Sequence, residues 1–448
     1  MDLLKPISRY IATPIYSIKE KSRLLKTLKG LERSQWRTLD DLRDIQLEKL
    51  KNILIHSYET VDYYRDIFKS TGFDPYRMKS AEDLRRVPVL TKRDIIRNSQ
   101  KMVSRHYRPR ELVRASTGGS TGTQLHFYVN RGCVHLRDAC AWRHNRWAGW
   151  DLGMPVGALW GNPPKPRTFK NKVRQNLLKR TSYLDTMNMD GPSILEFVDK
   201  IKKYEGYILF GHSHSLYLFA DFLAKEKVSA GTPAGIVSTS MMLMDYERQL
   251  IEEVFGQKVF DRYGCEEVGL ISSECEAHDG MHLNIDHLYI EFVTGSGRPA
   301  LPGEEGRIVL TDLSNYGMPF IRYEVGDVGV PTGRRCECGR GLPLMNKIRG
   351  RTADFLVREN GSKVAGVSLI ERVLTKNPAI MQMQIIQNDI SRFTFKIVMN
   401  EGFTREHAVR ALKREFTKIF PNSSMEYEFV EQVEQGSSGK YRFTICNI

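Results

Sequence analysis

The stretch 208–240, ILFGHSHSLYLFADFLAKEKVSAGTPAGIVSTS, decides the fold. It opens on the apolar run 208–210, passes through a helical stretch and ends on a second apolar run, 235–238. Short apolar runs without polar alternation suit strands buried on both faces, and a helix between two of them is the connection parallel strands need. Outward in both directions the pattern repeats: residues 156–159 and 259–263 are apolar segments, each followed by a helix candidate or a polar loop. The alternation predicts an α/β core with largely parallel strands through residue 310.

Upstream, residues 113–130 read as a short strand, a Gly/Ser/Thr loop and a second strand over 125–129. Residues 1 to about 110 read as mostly helical, with Leu42, Ile45, Leu47, Leu50, Ile53 and Leu54 at helical spacing and Asp40 and Asp41 placed to cap that helix. The character changes after Arg351. Residues 364–374 and 404–419 read as helices, 380–386 and 392–399 as paired strands, and 425–430 as a further strand. That makes a small α+β unit with a mostly antiparallel sheet. The expected division is a large domain over 1–350 and a small one over 351–448.

Composition removes several classes. The chain has 448 residues, 41% hydrophobic and 27% charged, which excludes wholesale disorder and a disulfide-stapled miniature. No apolar run approaches the roughly 20 residues a membrane-spanning helix needs, and the opening residues carry no long apolar core of a secretory signal. Seven scattered cysteines, an odd number, fit a reducing cytoplasm, with Cys336 and Cys338 too close for a comfortable mutual disulfide. Sixty-seven basic residues against 53 acidic ones give a net charge of +14, which points to acidic partners. The N-terminal fifty residues and the run Lys165, Arg167, Lys170, Lys172, Arg174, Lys179, Arg180 hold much of the excess. Either a solvated surface or a face meeting an anionic ligand or the inner membrane leaflet accounts for it.

Segments that could carry chemistry recur in order. Ser116, Thr117, Gly118, Gly119, Ser120, Thr121 and Gly122 combine glycines that let a backbone approach an anion with hydroxyls that bond phosphate oxygens. No Lys-Ser/Thr pair closes a Walker loop, and a plain flexible turn is the other reading. Next comes Tyr263-Gly264-Cys265-Glu266-Glu267, where a tyrosine at a strand end can stack on a base and a carboxylate can meet a divalent metal; an ordinary strand exit with solvated acids is the alternative. Tyr323-Glu324-Val325-Gly326-Asp327 places a carboxylate behind a glycine, suited to ribose hydroxyls or to an Asx turn. Gly350-Arg351 and Ser438-Gly439-Lys440 follow. Cys275, His278 and His282 precede the Cys336-Glu337-Cys338 element, a donor set that suits tetrahedral Zn²⁺.

Taken in that order the segments resemble the adenylate-forming superfamily. Together with HSYETVDYYRDIFKSTGFDP (56–75) and YILFGHSHSLYLFADFL (207–223), they look like its phenylacetate–CoA ligase family and the CapK-like branch named after capsule polysaccharide biosynthesis. The resemblance implies a large multi-subdomain ATP-using domain and a small mobile α+β C-terminal domain. The implied activity is AMP-forming ligation of a carboxylic acid to CoA. The alternative is transfer of an acyl or aminoacyl group to a sugar, polysaccharide precursor or carrier protein.

Carried over by position, residues 116–122 would hold ATP phosphates, and Tyr263 and Gly264 would meet the adenine opposite Ser240. Glu267 would bind Mg²⁺, Asp327 and Arg351 the ribose, and Lys440 the acyl carboxylate and α-phosphate. His212 and Ser213 fall in the acyl-pocket region, and Cys275, His282, Cys336 and Cys338 match the structural zinc cluster of some relatives, with His278 the competing imidazole. Two departures stand out: Ala353 occupies the usual acidic hinge position, and Thr123-Gln124-Leu125 replaces the lysine many relatives carry after the phosphate loop. A nucleic-acid-binding zinc protein is disfavoured, because the chain has neither an aromatic-rich RNA-binding strand nor zinc-finger spacing. The expected location is the cytoplasm, with peripheral contact at the inner membrane face.

Overall fold

Helix formation in the N-terminal region follows the apolar spacing. The computed structural model describes residues 2, 4–117, 125–161, 163, 168, 175–204, 206–346, 348, 355–366, 369–370, 373, 377, 379–400, 402–431, 433 and 444–448. Helix α1 (Thr13–Lys19) is followed by α2 (Leu24–Ser34), α3 (Leu39–Thr60) and α4 (Asp62–Thr71). α3 buries Leu42, Leu50, Ile53 and Leu54. Its cap is Thr38, whose hydroxyl accepts from the Asp41 amide at 3.2 Å. Asp40 and Asp41, expected as caps, instead occupy the first turn, where the helix dipole favours acids.

A hairpin of β1 (Leu112–Ser116) and β2 (His126–Asn130) leads into α5 (Arg131–Trp147). The large sheet contains β3 (Val156–Trp160), β4 (Thr181–Asp185), β5 (Ile208–His212), β6 (Gly235–Thr239), β7 (Val259–Cys265), β8 (Gly269–Glu274) and β9 (Met281–Leu283). Helices α6 (Gly191–Ile201), α7 (Ser213–Glu226) and α8 (Asp245–Phe255) make its crossovers. The antiparallel sheet of β10 (Leu288–Val293), β11 (Gly306–Asp312) and β12 (Tyr323–Gly329) follows, and β13 (Leu344–Met345) closes the large sheet's edge.

The large sheet's order is β13-β9-β8-β7-β6-β5-β3-β4. Pairings from β4 to β7 are parallel, as the alternation predicts, and those from β7 to β13 are antiparallel. Leu159, Leu209, Ile236 and Val259 on the strands pack with Phe197, Leu216 and Phe219 on the helices. A second core joins α3 and α4 to β2 and β10–β12 through Ile53, Phe68, Phe127, Leu310 and Phe320. The site lies where these two layers meet.

The C-terminal part carries its own core. A hairpin of β14 (Phe355–Val357) and β15 (Lys363–Ala365) precedes β16 (Ile380–Asp389), β17 (Arg392–Met399), α9 (Arg405–Phe416), β18 (Ser424–Phe429) and β19 (Thr444–Cys446). Phe393, Phe395 and Phe416 fill the space between sheet and helix. Two expectations change here. Residues 363–365 form a strand paired to β14, so the helical reading of 364–374 starts too early. In the sheet order β18-β17-β16-β19 only β16–β17 is antiparallel; the other two pairings are parallel, because α9 carries the chain across from β17 to β18. This unit touches the larger one through Met187 and Met241, which join its core, and through Arg358, which donates to the Met187 carbonyl at 2.7 Å. The expected boundary near residues 350–354 and the hinge position Ala353 lie outside the described residues, apart from the approach at 348.

Candidate active site and metal centre

β7 parts from β6 beyond Asp261 and stays paired with β8 through Cys265, with a register shift between Tyr263 and Gly264. Gly264 is required there: a Cβ would stand 2.7 Å from the Gly269 carbonyl oxygen. The tight return between them presents Glu266 and Glu267. Across from it, β12 brings Tyr323 and Asp327 from the neighbouring sheet.

The two segments brace one another crosswise. The Tyr263 hydroxyl donates to Asp327 Oδ2 at 2.9 Å, and the Tyr323 hydroxyl donates to Glu267 Oε1 at 2.9 Å. Each tyrosine therefore orients the carboxylate that follows the other by four residues. Glu267 and Tyr323 are both buried. Burial, and then the Glu267 charge, push the Glu266 carboxyl up, and the same two causes in the same order drive the Cys265 thiol well above its ordinary range. Cys265 is thus a neutral thiol beside the carboxylates.

Arg137, on α5, fixes the return from behind. It donates to the Glu267 carbonyl at 2.6 Å, to the Glu266 carbonyl at 3.3 Å, and to Asp312 Oδ2 at 2.7 Å. Burial, the largest single influence, works against the Asp312 charge, yet Arg137, His287 and the Ser314 hydrogen bond together more than offset it and the carboxyl stays below its ordinary range. Nothing in the local sequence pattern marks Arg137, whose partners lie 129, 130 and 175 positions away.

The phosphate-loop expectation is described only at its base. Ser116 pairs with His126 in the hairpin. The Thr117 amide donates to the Leu125 carbonyl at 3.0 Å, and its hydroxyl accepts from the Leu125 amide at 3.0 Å, closing the two ends of the loop. Gly118, Gly119, Ser120, Thr121 and Gly122 lie outside the described residues, as do Arg351 and Lys440. At the end of β6, Ser238 shares a 2.6 Å bond with Ser213, which also donates to the Met241 carbonyl at 3.0 Å. Ser240 follows with φ of 68°, a left-handed turn. His212 is enclosed, its ring 4.4 Å from that of Trp160; burial, then His214, hold its pKa down at about 4. His212 and Ser213 therefore stand behind the β5–β6 edge rather than open to solvent.

A second constellation forms at the far edge of the large sheet. Ligand atoms of Cys275, His282, Cys336 and Cys338 all lie within 4.8 Å of one another. Cys275 Sγ is 3.6 Å from Cys336 Sγ, and Cys338 Sγ is 3.3 Å from His282 Nε2. His282 Nδ1 bonds the Leu342 carbonyl at 3.0 Å, which turns Nε2 toward the sulfurs. Burial favours the neutral imidazole, with a pKa near 4. Although burial opposes the Cys338 thiolate, hydrogen bonds from the Arg340 backbone and side chain bring its pKa below the ordinary value. Arg340 is itself held between the rings of Trp36 and Trp147, at 4.9 and 4.6 Å. His278 stands apart, bonded to Glu274 at 3.3 Å and packed on Phe260. Three sulfurs and one oriented imidazole, largely closed off from water, fit tetrahedral Zn²⁺.

Residues 356–447 match the CapK C-terminal domain family. Protein CapK of Staphylococcus aureus is 24% identical over 425 residues, covering 92% of this chain and 91% of its own length. Phenylacetate-coenzyme A ligase of Thermus thermophilus is 26% identical, covering 84% and 85%. Among solved structures, 2-hydroxyisobutyryl-CoA ligase in a postadenylation state superposes with a TM-score of 0.61 at 19% identity, covering 93% of this chain and 92% of that one. Residues 356–447 thus match the CapK C-terminal domain, over most of its length the chain is similar to CapK and to the phenylacetate–CoA ligase family, and its fold is that of 2-hydroxyisobutyryl-CoA ligase. The crossed tyrosine–carboxylate pairs thus lie in the two segments by which the sequence resembles that family.

Proposed function

We propose that this chain is an AMP-forming acid–thiol ligase that activates a carboxylic acid with ATP and passes the acyl group to CoA. The observation that carries the reading is the crossed brace, by which Tyr323 and Tyr263 hold two carboxylates, Glu267 and Asp327, on facing segments. An acid oxygen attacks the α-phosphorus of ATP, forming a P–O bond to the acyl group as the bond to pyrophosphate breaks. Two anions meet in that step, so positive charge must offset their repulsion.

Residues 116–122 orient the departing phosphates through hydroxyls and amides. Glu267 offers the hard oxygen donor that Mg²⁺ prefers, and Mg²⁺ supplies charge on the phosphates. Tyr263 and Gly264 border the adenine with Ser240 on the other side, and Asp327 accepts the ribose hydroxyls with Arg351 beside it. Lys440, on the small domain, meets the acid carboxylate and the α-phosphate. Rotation of residues 351–448 then withdraws Lys440 and admits the thiol, whose sulfur attacks the acyl carbon and releases AMP. His212 and Ser213 support the wall of the acyl pocket from behind. Cys275, His282, Cys336 and Cys338 would hold a structural Zn²⁺ that pins the 336–338 loop to the large sheet.

A second reading keeps the adenylation step and changes the acceptor to a sugar, polysaccharide precursor or carrier protein. The match of residues 356–447 to the CapK C-terminal domain supports it, through the resemblance to the branch named after capsule polysaccharide biosynthesis. One experiment tests both. Acid-dependent ATP–pyrophosphate exchange across a panel of carboxylic acids establishes adenylation, and trapping with CoA against amine and sugar acceptors identifies the second step. Absence of exchange with every acid would remove both readings.

A further inference from the structure

The N-terminal helical segment is docked the wrong way round for a soluble protein. It runs through Leu4–Ile7, a π-wound turn Ser8–Ala12 and α1. The side packed on the body is polar and small: Ser8 and Thr13 are buried. Its fastenings are polar as well. Arg9 pairs with Asp151, and Asp2 pairs with Arg180 at 2.8 Å. Gly153 lets the backbones close up, since a Cβ there would stand 2.5 Å from the Lys5 carbonyl oxygen.

The apolar side faces water. Leu4, Ile7, Ile11, Ile15 and Ile18 follow one another at intervals of three or four residues, one stripe of a helix, and Tyr10 flanks them. All six are exposed, Ile15 at 60% and Ile18 at 79%. A stripe of this kind marks an interaction surface.

Its surroundings identify the occupant. Lys19, Lys21, Arg23, Lys26 and Lys29 follow the stripe and are exposed, with Glu20 the one acid among them. The turn Gln175–Lys179 packs against Ser8–Ala12 and ends on the exposed Lys179. An apolar stripe rimmed by cations matches the anionic face of a bilayer, where isoleucines enter the acyl boundary and lysines meet headgroups. A second copy of the chain fits worse, because it would set two like-charged rims against each other. Sixteen helical residues span about 24 Å, too short for the roughly 30 Å hydrocarbon core, so the segment lies in the interface. No helix among the described residues is long and apolar enough to cross a membrane.

We propose that the outward face of residues 4–18 docks this protein on an anionic lipid surface. Cosedimentation of the full chain with vesicles of phosphatidylcholine containing 30 mol% phosphatidylserine tests it. The expected result is binding that weakens at least tenfold on pure phosphatidylcholine and falls as salt rises. The double variant Ile11→Asp/Ile15→Asp should lose at least a further tenfold while keeping its unfolding midpoint and its pyrophosphate exchange. Ile18→Asp, at the most exposed position, gives an independent single-site loss of several-fold. Ile15→Trp should show a blue-shifted emission with anionic vesicles only. The proposal is overturned by absence of cosedimentation, by equal binding to neutral and anionic vesicles, or by variants that bind as the parent does. It is also overturned if the chain is a dimer in sedimentation velocity that Ile11→Asp/Ile15→Asp dissociates.

Discussion

Replacing Tyr323 by phenylalanine removes one oxygen from the brace and nothing else. The hydroxyl donates at 2.9 Å to a carboxylate oxygen of Glu267, which is 8% exposed, so water cannot readily take its place. A hydrogen bond to a charged acceptor contributes about 1.5–3 kcal/mol. If the bond holds Glu267 in its metal-binding orientation, that energy appears in the Mg²⁺-dependent step, equivalent to roughly 10- to 150-fold. The assay is acid-dependent ATP–pyrophosphate exchange at a series of free Mg²⁺ concentrations, paired with urea unfolding of the same variant. The expected outcome is a raised Mg²⁺ requirement and a lowered rate at limiting Mg²⁺, with part of the loss recovered at high Mg²⁺. A Tyr323→Phe protein whose stability falls while its exchange stays within twofold of the parent at every Mg²⁺ level would refute the reasoning, since the hydroxyl would then be serving the fold alone.

Lys440→Ala should reduce exchange by at least about 100-fold, the scale of losing a preorganised charge at a developing anion, while ATP binding measured by calorimetry stays intact. Elemental analysis should find one zinc per chain, and Cys336→Ser/Cys338→Ser should lose that zinc and lower the thermal midpoint by several degrees; a parent protein without zinc would remove the metal assignment. The pH dependence of stability follows from His212, whose folded pKa of about 4 lies below the unfolded value near 6.5. The unfolded chain binds the extra proton, so stability falls as pH drops from about 6.5 toward 4, with a slope up to about 1.4 kcal/mol per unit. Urea unfolding from pH 7 to 5 should show a shallower decline in His212→Asn than in the parent, and parallel curves would contradict the buried neutral state.

Much of the fold was legible because it rests on short-range pattern. The apolar runs at 156, 208, 235 and 259 become the parallel half of the large sheet, and their pairing is enforced by the helices between them. What failed were features that local pattern does not carry. Asp40 and Asp41 resemble caps by residue type, but the capping position belongs to the residue that leaves helical geometry, and that is Thr38. The C-terminal sheet reads as antiparallel from its 380–399 hairpin alone. Its parallel partners arrive through a helical crossover and from the chain's last residues, which no turn signal announces.

The site divides along the same line. Glu267 and Asp327 are legible as acids behind glycine turns, and the sulfur cluster as spaced ligands, because each is a statement about neighbours in sequence. Arg137 is not legible: its partners are two backbone carbonyls and a buried aspartate on another sheet, and only folding brings α5 behind the β7–β8 return. The tyrosines stand between these cases. Tyr263 precedes Glu267 by four residues and Tyr323 precedes Asp327 by four, a repeated spacing that is visible in the sequence and reads there as two separate motifs. The hydrogen bonds join them into one device, each tyrosine serving the other segment's acid. A shift of β12 relative to β7 would therefore move together the two carboxylates proposed for Mg²⁺ and for ribose. On this geometry the two acids cannot be tuned independently, so Tyr263→Phe and Tyr323→Phe should couple in a double-mutant cycle. Simple additivity in that cycle would mean the two sheets hold their acids separately.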